Sequence, residues 1–110
     1  MTKDPKIFLG HILECIDMIE EYVDGWTEKD FLASKEKQDA VIRRFEIIGE
    51  ATKHLPKSLL EKHHETDWQD IMSMRDRLTH EYFRVMMDIV WQTIKQYLPS
   101  FRREILKMIK

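Results

Sequence analysis

The sequence is poor in the residues that form turns and cross-links. Glycine and proline number three each in 110 residues, and Cys15 is the single cysteine. So few turn formers argue against a β-sandwich or barrel, and one cysteine excludes an intrachain disulfide. Cys15 falls among apolar residues at helical spacing, which predicts a buried, unreactive side chain. No apolar run is long enough for a membrane span or a signal peptide, so we expect a soluble protein of the reducing cytoplasm without a membrane partner.

Helix-start signals recur along the chain. Asp4 followed by Pro5 is a favourable N-cap, because proline at the first helical position lacks only an N–H that has no helical partner. Ser34 and Asp67 are the expected N-caps of two further long helices, the first of which should end before Pro56. Apolar residues at three- to four-residue spacing follow each signal, as in an amphipathic helix. A fourth long helix is expected over residues 87–98.

Shorter segments complete the predicted architecture. Thr27 and Asp30 have the spacing of a capping box, which predicts a short helix before the second long one. Residues 57–62 are expected to form one further turn, and Pro99 to mark a kink or a fresh start before a last amphipathic segment, 101–109. The whole pattern predicts one all-α domain over residues 1–110, an antiparallel four-helix-type bundle with an extra short helix.

The charges are unevenly distributed. Residues 1–70 contain 10 Lys and Arg against 16 Asp and Glu, whereas residues 71–110 contain 8 against 4. A polyanion such as RNA would be attracted to the basic third, although the same charges can equally be scattered over solvated faces. The basic residues named for this region are Arg75, Arg77, Arg84, Arg102, Arg103, Lys107 and Lys110.

Several kinds of site are absent or weakly indicated. The sequence has no phosphate-binding glycine loop, no H-E-x-x-H and no C-x-x-C. His63, His64 and Glu65 could attract a metal ion, but a solvated loop is the preferred interpretation, and we predict neither a metal nor a cofactor. Glu46 and Glu50 share one face of the second long helix and are interpreted as surface or dimer-rim charges, with a contact near the active site as the alternative.

The segment Met74 to Phe83 contains the residues best suited to catalysis. His80 titrates near neutral pH and can remove or supply a proton, while Arg75 offers a bidentate fork for phosphate oxygens. Asp76 lies four residues before His80, where its carboxylate can orient the imidazole. Arg75 and His80 are about 140° apart on an ideal helix, so their convergence needs a helix end, a flexible arginine or a second copy of the helix. This set fits RNA cleavage by attack of the ribose 2′-OH, although such residues often form ordinary surface contacts.

The sequence Arg75-Asp-Arg-Leu-Thr-His80-Glu-Tyr82 resembles the R-x4-H-x-Y motif of the HepT-like branch of the HEPN superfamily. The resemblance extends over about residues 5–100 and includes the stretches 38–51 and 53–56, Trp68, and Ile89-Val-Trp91. It implies a HEPN-like fold and a homodimeric, metal-independent endoribonuclease that is the toxin of a toxin–antitoxin pair. The motif arginine and histidine would be catalytic, and the polar residue after the arginine would contribute. That residue is commonly Asn in the family and is Asp76 here.

The resemblance also implies a partner. The motif tyrosine, here Tyr82, is similar to the residue that a cognate minimal nucleotidyltransferase antitoxin modifies with AMP. Arg77 and Arg84 of the basic third are the expected RNA contacts. A modified Tyr82 would place a bulky anion at the phosphate site and block RNA. The alternative is a non-catalytic helical dimer that serves as a protein-binding module for such a nucleotidyltransferase, and a nucleotide-binding module is a weaker third interpretation.

Overall fold

Helices account for most of the chain. The computed structural model describes residues 4–79 and 86–109, without the side chains of 75–79. The helices within these ranges are α1 Pro5–Tyr22, α2 Glu28–Leu32, α3 Lys35–Lys53, α4 Lys57–Lys62, α5 Trp68–Thr79, α6 Met87–Gln92 and α7 Leu98–Ile109, with a π-helical turn, Thr93–Tyr97, between the last two. Neither a β-strand nor a helix long and apolar enough to cross a membrane occurs in the described ranges. The predicted all-α class is confirmed.

The predicted N-caps are present. The Asp4 side chain accepts a hydrogen bond from the backbone N–H two residues on, at 2.9 Å. In the capping box, the backbone N–H of Asp30 donates to Thr27 Oγ1 at 3.2 Å, and the Thr27 N–H donates to Asp30 Oδ2 at 3.0 Å. Ser34 Oγ likewise accepts from the backbone N–H three residues on, at 3.2 Å. Since these bonds satisfy N–H groups that no helical carbonyl can reach, they determine where α1, α2 and α3 begin.

The core lies between the long helices. α1 packs against α3 and α7, α3 packs against α5, and α2 packs against α3 and α6. Cys15 is buried as predicted, and burial raises the pKa of its thiol, which keeps the reactive thiolate scarce at neutral pH. The most deeply buried apolar side chains are Leu9, Ile12, Ile16, Ile19, Val23, Phe31, Val41, Ile48, Ile71, Leu98 and Ile105.

The chain stays helical around Pro99. The π-helical turn Thr93–Tyr97 leads directly into α7, which begins at Leu98, so the predicted fresh start falls one residue before Pro99. The Leu98 N–H donates to the carbonyl of Thr93, five residues earlier. Proline lacks an N–H and its ring clashes with the carbonyl four residues earlier, here that of Lys95. The wider π-helical turn contains Lys95 and provides room for this carbonyl, so the chain stays helical.

Candidate active site

Helix α5 carries the first half of the motif, and its start is firmly held. Asp67 Oδ1 accepts a hydrogen bond from the backbone N–H of Asp70 at 3.0 Å, as predicted for an N-cap. Trp68 is buried and its Nε1 donates to the carbonyl of His63 at 2.9 Å. The indole also packs edge-on against Phe101 of α7, with ring centroids 6.0 Å apart. These contacts hold the start of α5 against α7.

The backbone of α5 carries three of the six predicted site residues. Arg75, Asp76 and Arg77 occupy successive positions of α5, and Arg75 lies one turn beyond the buried Ile71. His80, Tyr82 and Arg84 lie outside the described residues. The helical backbone from 68 to 79 therefore agrees with the predicted placement of the first three residues, and the roles of all six stay predictions.

A cavity of about 330 Å³ lies beside the segment that carries the motif. Met74, which directly precedes Arg75, forms part of its wall, and so does Met86, the first described residue after the motif. Ile89, 50% exposed, is a large apolar side chain at the same cavity. The volume falls in the range of small-molecule sites, so the cavity can hold a group the size of a nucleobase or ribose.

The charge around this cavity is not uniform. Asp67 and Asp70 form part of the wall together with Tyr97. Burial, and after it the negative charge of the two aspartates, raises the pKa of the Tyr97 phenol above its usual value, so the phenol stays neutral at physiological pH. Because carboxylates in the wall disfavour a phosphate beside them, the cavity suits an uncharged group. Sequence reasoning missed Tyr97, which is brought here by the packing of α7.

The basic third of the chain is partly neutralised by the fold. Arg102 Nε donates to Asp17 Oδ1 of α1 at 2.9 Å, and this bond raises the pKa of the guanidinium further. Lys107 contacts Glu104 at 3.4 Å, and the Lys95 ammonium lies 5.0 Å from the centre of the Trp91 ring. Arg102 and Lys107 of α7 thus have acidic partners, which reduces the polyanion attraction predicted for these two residues.

A second cleft, of about 440 Å³, lies between α1 and α3. Its wall includes Glu46 and Glu50, together with His11 and His54. The imidazole of His54 stacks on Phe8 with ring centroids 4.9 Å apart. Within the described ranges, the two glutamates belong to the wall of this cleft, and their interpretation as surface or dimer-rim charges stays a prediction.

The chain is similar over nearly its whole length to a ribonuclease family and to proteins whose names propose that activity. Residues 12–108, which include α5 and the motif, match the family described as Ribonuclease HepT-like. A Methanocaldococcus jannaschii protein, whose name joins gamma-glutamylcyclotransferase to a proposed RNase, is 49% identical over 110 residues, which are all of this chain and 50% of that protein. The probable ribonuclease HepT of Thermococcus cleftensis is 40% identical, with 100% of both chains covered.

A proposed RNase of Caldanaerobacter subterraneus is 39% identical, over 98% of this chain and 96% of that protein. The chain thus spans half the length of the Methanocaldococcus protein and nearly all of the other two. No solved structure shows a significant match to it. A family match that covers almost every described helix confirms the resemblance carried by the motif, and the chain belongs to the HepT-like ribonuclease family.

Proposed function

We propose that this protein is the toxin of a toxin–antitoxin pair, a metal-independent endoribonuclease that acts in the cytoplasm as a homodimer. The observation that carries the proposal is the motif Arg75 to Tyr82, which begins on α5 and lies inside the segment matched to the ribonuclease family. The cavity bordered by Met74 and Met86 supports it, because it provides a concave surface next to both ends of this motif.

The proposed reaction uses the nucleophile that RNA itself contains. His80 removes the proton of a ribose 2′-OH, and the 2′-oxygen attacks the adjacent phosphorus. The bond from phosphorus to the 5′-oxygen of the next nucleotide breaks, and that oxygen takes up a proton. Arg75 binds the phosphate oxygens, whose negative charge grows in the transition state, and Asp76 orients the imidazole. The products are a 2′,3′-cyclic phosphate and a free 5′-OH.

The spacing of the motif residues favours a dimer. Arg75 is on α5, and on a continued ideal helix His80 would lie about 140° around the axis from it. A two-fold axis that brings two copies of this segment together would place the arginine of one copy near the histidine of the other. The exposed Ile89 beside the cavity is the kind of apolar side chain that such an interface would cover.

The proposed activity predicts a specific substrate and product. Purified protein is expected to cleave single-stranded RNA in the presence of EDTA and to leave DNA of the same sequence intact, because DNA lacks the 2′-OH. End-group analysis of the fragments by mass spectrometry should find the 2′,3′-cyclic phosphate or its hydrolysis product. Loss of cleavage on chelation would contradict the proposed mechanism. A preparation that cleaves nothing, although mass spectrometry shows no adduct on it, would favour the non-catalytic binding module.

Silencing by AMP transfer to Tyr82 is the proposed form of regulation. The phenolic oxygen would attack the α-phosphorus of ATP, with pyrophosphate as the leaving group, and the attached AMP would exclude RNA by its charge and volume. Incubation with ATP and a minimal nucleotidyltransferase encoded beside this chain should add AMP and abolish cleavage. Tyr82→Phe should escape both effects, whereas Tyr22→Phe, a change at a half-buried residue of α1, should be modified and silenced as the wild type is. Equal labelling of Tyr82→Phe and wild type would contradict this assignment.

A further inference from the structure

Three side chains with metal-binding atoms meet at the start of α5, away from the motif. His63 and Glu65 belong to the loop between α4 and α5, and Glu104 belongs to α7. One ligand atom from each lies within 4.8 Å of the others. His63 and Glu104 are half-buried and Glu65 is exposed, so the group is open to solvent on one side. The sequence suggested His63 and Glu65 as a weak metal site, and the fold adds a third ligand from a distant helix.

The backbones that carry these ligands are fixed by neighbouring contacts. The His63 N–H donates to the carbonyl of Leu60 at 3.2 Å, and the His63 carbonyl accepts from Trp68 Nε1 at 2.9 Å. The Trp68 indole packs on Phe101, which lies one helical turn before Glu104 on α7. The loop and α7 are therefore held together independently of any ion, and the entropy lost on forming a site is small.

The charges at this point favour a bound cation. The Glu65 and Glu104 side chains bring carboxylate oxygens within 4.8 Å of each other, and the two groups repel when both are ionised. Lys107 lies 3.4 Å from Glu104, and its side chain is 69% exposed. An exposed ammonium on a flexible chain screens the two carboxylates weakly, and a divalent ion between them would be attracted more strongly.

We propose that His63, Glu65 and Glu104 form a binding site for a borderline divalent transition metal ion, for which Zn²⁺ is the representative. An imidazole nitrogen with carboxylate oxygens is a donor set that suits Zn²⁺, while Mg²⁺ prefers oxygen ligands and retains its water. Ligand atoms around tetrahedral Zn²⁺ lie about 3.4 Å apart. The ligand atoms of the three side chains now lie within 4.8 Å of one another. Side-chain rotations that move these atoms about 1–2 Å closer together would give the spacing that Zn²⁺ needs.

The site is structural in this proposal and does not depend on the proposed nuclease mechanism. His63 and Glu65 precede α5, whose first residue, Trp68, lies about 10 Å along the helix axis from Arg75. A metal ion here would join the loop to α7 and hold the buried Trp68 in place, which stabilises a small domain. RNA cleavage in EDTA is consequently expected to persist even though the protein loses the ion.

Calorimetric titration of Zn²⁺ into the untagged, metal-free full-length protein tests the site. We expect one ion per chain, a higher melting temperature with Zn²⁺, and no binding of Mg²⁺. His63→Ala and Glu104→Gln should each weaken Zn²⁺ binding at least about tenfold and remove the thermal shift. Circular dichroism of the metal-free variants should show wild-type helix content, since His63 and Glu104 lie outside the buried core.

Two neighbouring residues provide matched controls. His64→Ala removes an exposed imidazole that is adjacent in sequence but not part of the group, so Zn²⁺ affinity should stay at the wild-type value. Lys107→Ala removes the competing ammonium from Glu104 and should tighten Zn²⁺ binding. The proposal would be overturned by wild-type affinity in His63→Ala, by an equal loss in His64→Ala, or by absence of stoichiometric binding to the wild type. None of these outcomes bears on whether the protein cleaves RNA.

Discussion

His80→Ala is expected to lower the rate of RNA cleavage in EDTA by about 10²- to 10⁴-fold, the usual contribution of a positioned general base. Arg75→Ala should lower it by about 10²- to 10³-fold, because the growing charge on the phosphate loses its bidentate partner. Both variants should keep the helical circular dichroism of the wild type. The measurement is the single-turnover cleavage rate of a labelled RNA at saturating protein.

Controls for these two variants come from residues of the same type elsewhere. Arg43→Ala removes an exposed guanidinium of α3 that lines the cleft between α1 and α3. His64→Ala removes an exposed imidazole from the α4–α5 loop. Both should cleave RNA at the wild-type rate. Persistent cleavage by His80→Ala and Arg75→Ala would indicate a contaminating nuclease and would end the assignment of these two residues.

Mixed dimers extend the test to the proposed symmetry. If the arginine of one protomer acts with the histidine of the other, a dimer of one Arg75→Ala and one His80→Ala protomer contains one intact site. Equal mixing and reassociation of the two inactive variants should then restore about a quarter of wild-type activity, since half the dimers are mixed and each has one of two sites. No recovery would show that each site is built within a single protomer.

Phe31→Ala is expected to lower the free energy of unfolding by about 3–5 kcal/mol, the usual cost of removing a buried phenylalanine ring. Phe31 is 0% exposed, and its ring centroid lies 5.5 Å from that of Trp91 on α6. The loss is a large share of the total stability of a domain this size, about 5–15 kcal/mol. Urea unfolding at fixed protein concentration should show a lower midpoint with an unchanged slope.

Leu32→Ala is the matched control for this change. Leu32 is the next residue of α2 and is 45% exposed, so its truncation should change the free energy of unfolding by about 1 kcal/mol or less. Gln38 donates to the backbone carbonyls of both positions, at 3.0 and 3.1 Å, and these bonds are unaffected by either substitution. Equal losses in the two variants would show that α2 contributes through its backbone position and not through the buried ring.

Local chemistry determined the helices of this protein. Asp4, the capping box at Thr27, Ser34 and Asp67 each bond to a backbone N–H within three residues, so these helix starts follow from the sequence alone. Apolar spacing likewise indicated the buried faces, including that of Cys15. The motif from Arg75 to Tyr82 indicated the chemistry and the family, because its residue types and spacing are specific.

The tertiary structure decided which distant residues meet. The cavity between Met74 and Met86 receives Tyr97, and Glu104 reaches His63, only because α7 packs back across the bundle. The continuation of the helix through Pro99 likewise depends on the π-helical turn before it. A helix cap or an apolar helix face depends on residues within one or two turns of each other, so the local sequence predicts it. The arrangements named above result from packing between helices that are far apart in the chain, which local sequence patterns do not specify.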